Sequence, residues 1–210
     1  MSRILDKCRL CRRAGTKLYL KGDRCYTPKC AIVKRNYAPG MIGTKKKGKS
    51  RLTPYGIQLR EKQKARFYYG ITEKQMGNYF DRASRSLGNS GEIFMQLLET
   101  RLDNVVYRLG WASSHQKARQ LVNHGHITVD SKKVTIPSYR LKAGQSIGIR
   151  QSSQGGKVFQ EVLPSLEKVQ IPGWIHSEKK SFEGKVVGMP TLAEVNPLYD
   201  VRLITEYYSR

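Results

Sequence analysis

Four thiols crowd the first thirty residues: Cys8 and Cys11, then Cys25 and Cys30 with four residues between them, the two pairs thirteen residues apart. Two close pairs across a loop can deliver four thiolates to one tetrahedral ion. A single structural zinc is the expectation. An iron–sulfur cluster is the alternative, because four-cysteine spacing alone does not select the metal. A disulfide pair is disfavoured in a reducing compartment, and unliganded thiols are the remaining reading. Four protein ligands leave no position for a reactive water, so the metal would be a staple rather than a catalyst. Lys7, Arg9, Arg12, Arg13, Lys17, Lys21, Arg24 and Lys29 surround the thiols and would offset the negative charge of a tetrathiolate ion while offering cations to phosphate.

A second constellation lies mid-chain. Ser114, His115, Lys117, Arg119, Gln120, Asn123, His124 and His126 are donors crowded around one helix, with Lys132 and Lys133 on the adjoining hairpin. Cations with amide and hydroxyl donors suit phosphate oxygens and the 2′-hydroxyls of RNA. An ordinary solvated charged face is the plainer reading. Catalysis is thinly supported. Ser114 and His115 have no obvious orienting carboxylate, adjacency on a helix makes their side chains diverge, and no Walker A, GxGxxG or HExxH motif occurs.

Local pattern predicts what positions these groups. Leu102, Val105, Val106 and Leu109 follow a helical period that stops at Gly110. Ser113 with Gln116 reads as a capping box opening a second helix, whose core positions are Ala118, Leu121 and Val122. Gly125 ends it. Ile127 and Val129 alternate into a strand, Asp130-Ser131 turns into 132–136, and 147–149 forms another strand. Upstream, Thr53-Pro54 starts a helix studded with Arg60, Lys62, Lys64 and Arg66, with Tyr55, Leu59 and Phe67 as its apolar contacts. Thr72 and Gln75 form a capping box before Met76, Tyr79, Phe80 and Ala83, and Asn89 with Glu92 opens the helix bearing Ile93, Phe94, Leu97 and Leu98. Gly173-Trp174-Ile175 reads as an apolar anchor, and 186–187 and 201–208 as strands, the last by alternation.

Charge supplies the partner class. The formal net charge is +23, and the first 70 residues hold 20 Lys and Arg against 3 Asp and Glu. Residues 31–51 include Lys45, Lys46, Lys47, Lys49 and Arg51 among glycines and lack apolar periodicity, which suits an extended arm ordered by RNA. Such a concentration of cations repels itself unless a polyanion neutralises it. A membrane surface fits less well, for want of a long apolar run or a basic amphipathic helix, and 1–13 has no apolar signal core. A cytoplasmic, nucleic-acid-binding protein is expected.

The residue order is more specific than charge. Residues 101–110, 118–127 and Pro137-Ser138-Tyr139 closely resemble the RNA-binding module named after small-ribosomal-subunit protein S four. Leu10-Cys11-Arg12, Lys17-Leu18-Tyr19-Leu20-Lys21-Gly22, Cys25-Tyr26-Thr27-Pro28-Lys29-Cys30, residues 55–64, Tyr69-Gly70-Ile71 and the closing 206–210 resemble the zinc-binding, four-cysteine form of the bacterial S four family over nearly the whole length. The resemblance implies an α+β fold: a helical N-terminal domain with a metal knuckle, and an inserted two-helix-plus-sheet module. It divides the chain into knuckle and basic arm (1–52), helical domain (53–98), RNA-binding module (99–163) and a C-terminal segment packing back on the helical domain (164–210). It also implies a primary binder of 16S ribosomal RNA that nucleates 30S assembly, touches ribosomal protein S five, influences decoding accuracy, and in some members binds messenger RNA. An RNA-modifying enzyme sharing the module is the rival class, but neither flank holds a catalytic pattern. Three positions depart from the family's habit: Asp130-Ser131 for Asn-Gly, Gln145 for an acidic residue, and Leu192 for an Arg.

Overall fold

The computed structural model describes residues 6–40, 52–166, 169–177 and 182–210. Its helices, in chain order, are α1 Lys7–Ala14, α2 Ala31–Lys34, α3 Pro54–Tyr69, α4 Glu73–Ser84, α5 Ser90–Glu99, α6 Leu102–Arg108, α7 His115–Asn123, α8 Gln151–Gln154, α9 Lys157–Gln160, α10 Leu163–Leu166, α11 Leu192–Val195 and α12 Val201–Tyr208. The strands are β1 Ile127–Val129, β2 Lys132–Lys133, β3 Ser146–Ile149, β4 Ile175–Ser177 and β5 Glu183–Val186. Two units result: Met1–Gly91 with Pro197–Arg210, and Glu92–Asn196.

In the first unit the chain's own signals set the helix ends. The Thr53 hydroxyl accepts from the Gly56 N–H at 3.2 Å, Pro54 occupies the first turn, and Gly70 closes α3 at φ 63°. Thr72 and Gln75 complete the capping box of α4. Of the expected Tyr55, Leu59 and Phe67, Phe67 packs against the core of Cys11, Leu18, Cys30 and Ile32 and Leu59 is half-buried, but the fully buried face of α3 is a different one. It is Gln58, Lys62, Ala65, Tyr68 and Tyr69, with Tyr55 about half exposed. The reason is α12. The expected strand over 201–208 is a helix, capped by the Asp200 carboxylate accepting from the Arg202 N–H at 2.8 Å. Its buried Val201 and Ile204 are spaced for a helix, and Tyr208 two turns on stacks on Phe80 with ring centroids 4.8 Å apart. Gly91 permits close approach here, since a Cβ would meet Val201 at 3.0 Å. The polar residues of α3 then find partners: Gln58 donates to Glu206 at 2.9 Å, and the Lys62 ammonium lies 4.5 Å from the centre of the Tyr207 ring.

The second unit is a five-stranded antiparallel sheet in the order β2-β1-β3-β5-β4, with α6 and α7 packed together. Leu102, Val105, Val106 and Leu109 of the first helical segment, Ala118, Leu121 and Val122 of α7, and Ile127, Val129, Ile147 and Ile149 of the sheet share one core with Trp111 and Trp174. Two findings differ from the sequence expectation. Ser114, not Ser113, caps α7, its hydroxyl accepting from the Lys117 N–H at 3.3 Å. Residues 164–196 belong with this unit rather than with a separate C-terminal segment, because β5 pairs with β3 (Ile147 opposite Gly184) and carries β4 at the edge. Gly184 is needed there: a Cβ would meet Leu109 at 3.0 Å. Among the described residues no helix is long and apolar enough to cross a membrane.

Candidate nucleic-acid interface

Burial of Ala118, Leu121 and Val122 turns the other side of α7 outward, so Gln120, Asn123 and His124 are exposed and Lys117 half-exposed. Beyond the helix, Gly125 at φ 75° lets the chain reverse into β1, and a Cβ there would collide with the Lys133 side chain. Lys132 and Lys133 are both exposed on the hairpin. His126 is half-buried, its Nδ1 3.0 Å from the Ser153 hydroxyl and its ring edge-on to Phe159. The outward ridge of amides, imidazole and ammonium groups can donate to phosphate and ribose oxygens without exposing the core.

Three residues assigned to that ridge turn inward. Ser114 is buried and spends its hydroxyl on the cap. His115 stacks on Tyr107, ring centroids 3.9 Å apart, and its Nε2 lies 3.0 Å from Asn104 Oδ1. Asn104 donates its amide to the Glu99 carbonyl and carboxylate, both at 2.8 Å, so its oxygen is the acceptor and His115 carries the proton on Nε2. Burial, then Arg108 and Arg101, holds the His115 pKa down at about 3, so the imidazole is neutral. Glu99, fully buried, is clamped by Arg108 at 2.8 and 3.1 Å. Arg119 approaches the Asp103 carboxylate at 3.8 Å, and Arg101 grips that same carboxylate at 2.7 and 3.0 Å. Sequence reading missed this network of Glu99, Arg101, Asp103, Asn104 and Arg108. Its signal was present: polar residues embedded in the otherwise apolar run from 97 to 106 must be paired, or burial would be prohibitive.

The hairpin departures are compensated. Asp130 and Ser131 both take left-handed φ, 48° and 66°, with Val129 opposite Lys132, which is the two-residue primed turn that Asn-Gly favours. Asp130 accepts from the Ser146 N–H and from the Gln145 amide, each at 2.9 Å, and these hydrogen bonds, the Ser146 N–H foremost, lower its pKa. Gln145 also accepts from the Lys142 N–H at 2.9 Å. An acidic residue at 145 would face the Asp130 carboxylate, whereas the Gln145 amide donates to it. Leu192, half-buried, opens α11 behind a capping box of Thr191 and Glu194.

In the first unit Arg13 and Arg60 are exposed, whereas three other assigned cations have protein partners. Arg12 donates to the carbonyls of Tyr37 at 2.9 Å and Ala38 at 3.4 Å and lies over the Tyr37 ring. Lys64 pairs with Glu61. Lys62 is 3% exposed and paired with Glu73, which removes it from any phosphate-facing surface. Lys45, Lys46, Lys47, Lys49 and Arg51 lie outside the described residues.

The cysteines are free thiols, and all four line one small cavity with Lys7, Leu20, Lys21, Ala31 and Ile32. Burial foremost pushes the Cys11 thiol pKa up. Lys7, its own pKa lowered mainly by burial, donates to the Leu20 carbonyl at 3.3 Å. As a donor set the four sulfurs suit a thiophilic ion. Among the described residues, however, no three His, Cys, Asp or Glu are gathered at ligating geometry, so the side chains would have to close on a metal.

Comparison with known proteins shows the family of the chain. The family model described as the ribosomal protein S4/S9 N-terminal domain matches residues 4–99, and that of the S4 domain matches residues 100–147. Small ribosomal subunit protein uS4A of Alkaliphilus metalliredigens is 51% identical over 211 residues, 100% of each chain. The chain belongs to the uS4 family. The uS4 proteins of Halothermothrix orenii and Geotalea daltonii are 51% and 49% identical, over 97% of this chain and 96% of theirs. Family membership sets aside the RNA-modifying enzyme: uS4 is a structural, non-enzymatic ribosomal protein.

Proposed function

We propose that this uS4-family chain is a structural constituent of the small ribosomal subunit, held in the cytoplasm on the ribosome, where it binds 16S rRNA as a primary protein and nucleates 30S assembly. The end-to-end identity with proteins named for that subunit carries the reading. The ridge of Lys117, Gln120, Asn123 and His124 with the hairpin lysines supplies a surface in the second unit, and the exposed Arg13 and Arg60 of the first unit, with the cations that the sequence carries at 45–51, add positive charge for phosphate. Contact with protein S five, through which decoding accuracy is influenced, and binding of messenger RNA to the same cationic surface belong to this reading. The decisive experiment is sedimentation. The protein should stay with 30S particles through a high-salt wash, and recovery only in the ribosome-free supernatant would refute the assignment.

Cys8, Cys11, Cys25 and Cys30 would hold one zinc ion as a structural cross-link, tying α1 to the start of α2. Metal binding must displace the thiol protons, and burial holds that of Cys11 on more tightly, so uptake should release acid. Elemental analysis of protein purified without oxygen should find about one zinc per chain; iron with sulfide would replace zinc by the cluster, and neither metal would remove the staple.

A further inference from the structure

We propose that Tyr26, seated on Tyr19, is a stacking platform for an unpaired base of the bound RNA. This inference rests on the rRNA-binding reading above. Tyr26 is 71% exposed, more than any other aromatic side chain among the described residues, on a segment that otherwise hides its apolar groups: Leu18, Cys25 and Cys30 nearby are all buried. Its ring lies against Tyr19 with centroids 5.0 Å apart and planes inclined by 30°, so two aromatic faces form one shelf. That shelf is built at a cost, for Tyr19 holds a left-handed φ of 50°, a conformation that non-glycine residues avoid and that gathers at functional positions. The shelf is also held firmly. Tyr26 ends a 3-10 turn, and the next residue, Thr27, ties its hydroxyl to the Arg24 carbonyl at 3.0 Å.

The surroundings select the occupant. Lys21, Arg24 and Lys29, all exposed, lie within five residues of Tyr26 on the same loop, and 17–30 carries a single acidic residue, Asp23. A protein partner that buried an apolar tyrosine would have to leave those cations solvated or match them with carboxylates. A looped-out nucleotide meets both demands at once, its base on the ring and its phosphates on the ammonium and guanidinium groups.

Filter binding of the full chain to 16S rRNA, with Tyr26→Ala, Tyr26→Phe and Tyr26→Trp, tests the platform. The alanine variant should bind about 5- to 150-fold more weakly, the range for losing one base stack, with the salt slope unchanged because no charge is lost. Phenylalanine should restore affinity. In Tyr26→Trp the new indole fluorescence, read against the buried Trp111 and Trp174 of the parent, should be quenched as rRNA is added. Full-affinity binding of the tryptophan variant without quenching, or wild-type affinity in the alanine variant, overturns the stack while leaving the rRNA reading intact. Failure of the wild-type chain to bind 16S rRNA overturns both.

Discussion

His115 shows how far a single side chain can depart from what its neighbours in sequence suggest. Placed among lysine, arginine and glutamine, it resembles another surface donor, yet Tyr107 covers its ring and Asn104 Oδ1 accepts its Nε2–H hydrogen bond. Its depressed pKa has a thermodynamic sign. The unfolded chain binds a proton at this residue near pH 6.5 and the folded chain only near 3. Stability is therefore complete above about pH 6.5 and falls as acid drives the unfolded state to protonate. The expected loss between pH 7 and pH 5 is up to about 2 kcal/mol. His115→Gln, which can still donate to Asn104, should flatten that dependence in urea unfolding. An unchanged slope in the variant would show that other groups carry it. Ser131 makes the opposite case, a residue strained where it stands. At φ 66° a glycine would be unstrained, so Ser131→Gly should raise stability by about 0.5–1 kcal/mol, the relief of left-handed strain less the added entropy of unfolded glycine. Thermal unfolding would read it as a higher Tm, and a lower one would mean that the serine side chain contributes something its backbone does not reveal.

At the scale of the element, α7 divides its work between two faces. Leu121 is 7% exposed in the shared core, and Leu121→Ala should destabilise the second unit by about 2–5 kcal/mol through loss of transfer energy and a residual cavity. Gln120→Ala, on the exposed face, should change stability by less than about 0.5 kcal/mol while weakening RNA binding. Arg119 lies between these extremes. Its guanidinium contributes to Asp103, which Arg101 already holds, so Arg119→Ala should cost about 1 kcal/mol of folding as well as any RNA contact it makes. Chemical denaturation and filter binding on the same three variants separate the faces. Loss of RNA affinity without loss of stability in Leu121→Ala would mean that the helix is turned the other way. In the first unit, α12 acts as an organising element rather than a tail: its tyrosines and Glu206 convert Gln58 and Lys62 of α3 from solvent-facing polar residues into internal ones.

For the whole molecule, charge governs association. Residues 1–70 hold +17 of the net +23, and each phosphate neutralised releases counterions. Log affinity for 16S rRNA should fall linearly with log salt, by about 0.7–0.9 for each phosphate contact and so by several units in total. A nearly flat plot would leave hydrogen bonding and stacking as the source of affinity and would contradict the electrostatic account. Fold stability should respond much less to the same salt, because the pairs Arg101–Asp103 and Arg108–Glu99 are withdrawn from solvent and weakly screened.

Much of this protein is determined locally, and that part was legible in the residue order. Thr53-Pro54, Thr72 with Gln75, and the glycines at 70, 110 and 125 bound their helices by backbone geometry and capping, which need no distant partner. The apolar period over 102–109 and 118–122 likewise fixes which faces are buried, and the charge states the class of partner. What only tertiary structure decided depends on neighbours far along the chain. Alternation made 201–208 look like a strand until Asp200 capped it and α3 and α4 offered a helix-shaped surface. Residues 183–186 became a strand because the edge of β3 lay open to pair with them, and 175–177 then paired with 183–186. Lys62, His115 and Arg119 read as cations and donors for RNA because residue type states what a side chain can do. Whether Glu73, Asn104 or Asp103 reaches it first is set by packing, since a charge or donor buried beside a complementary group is already satisfied.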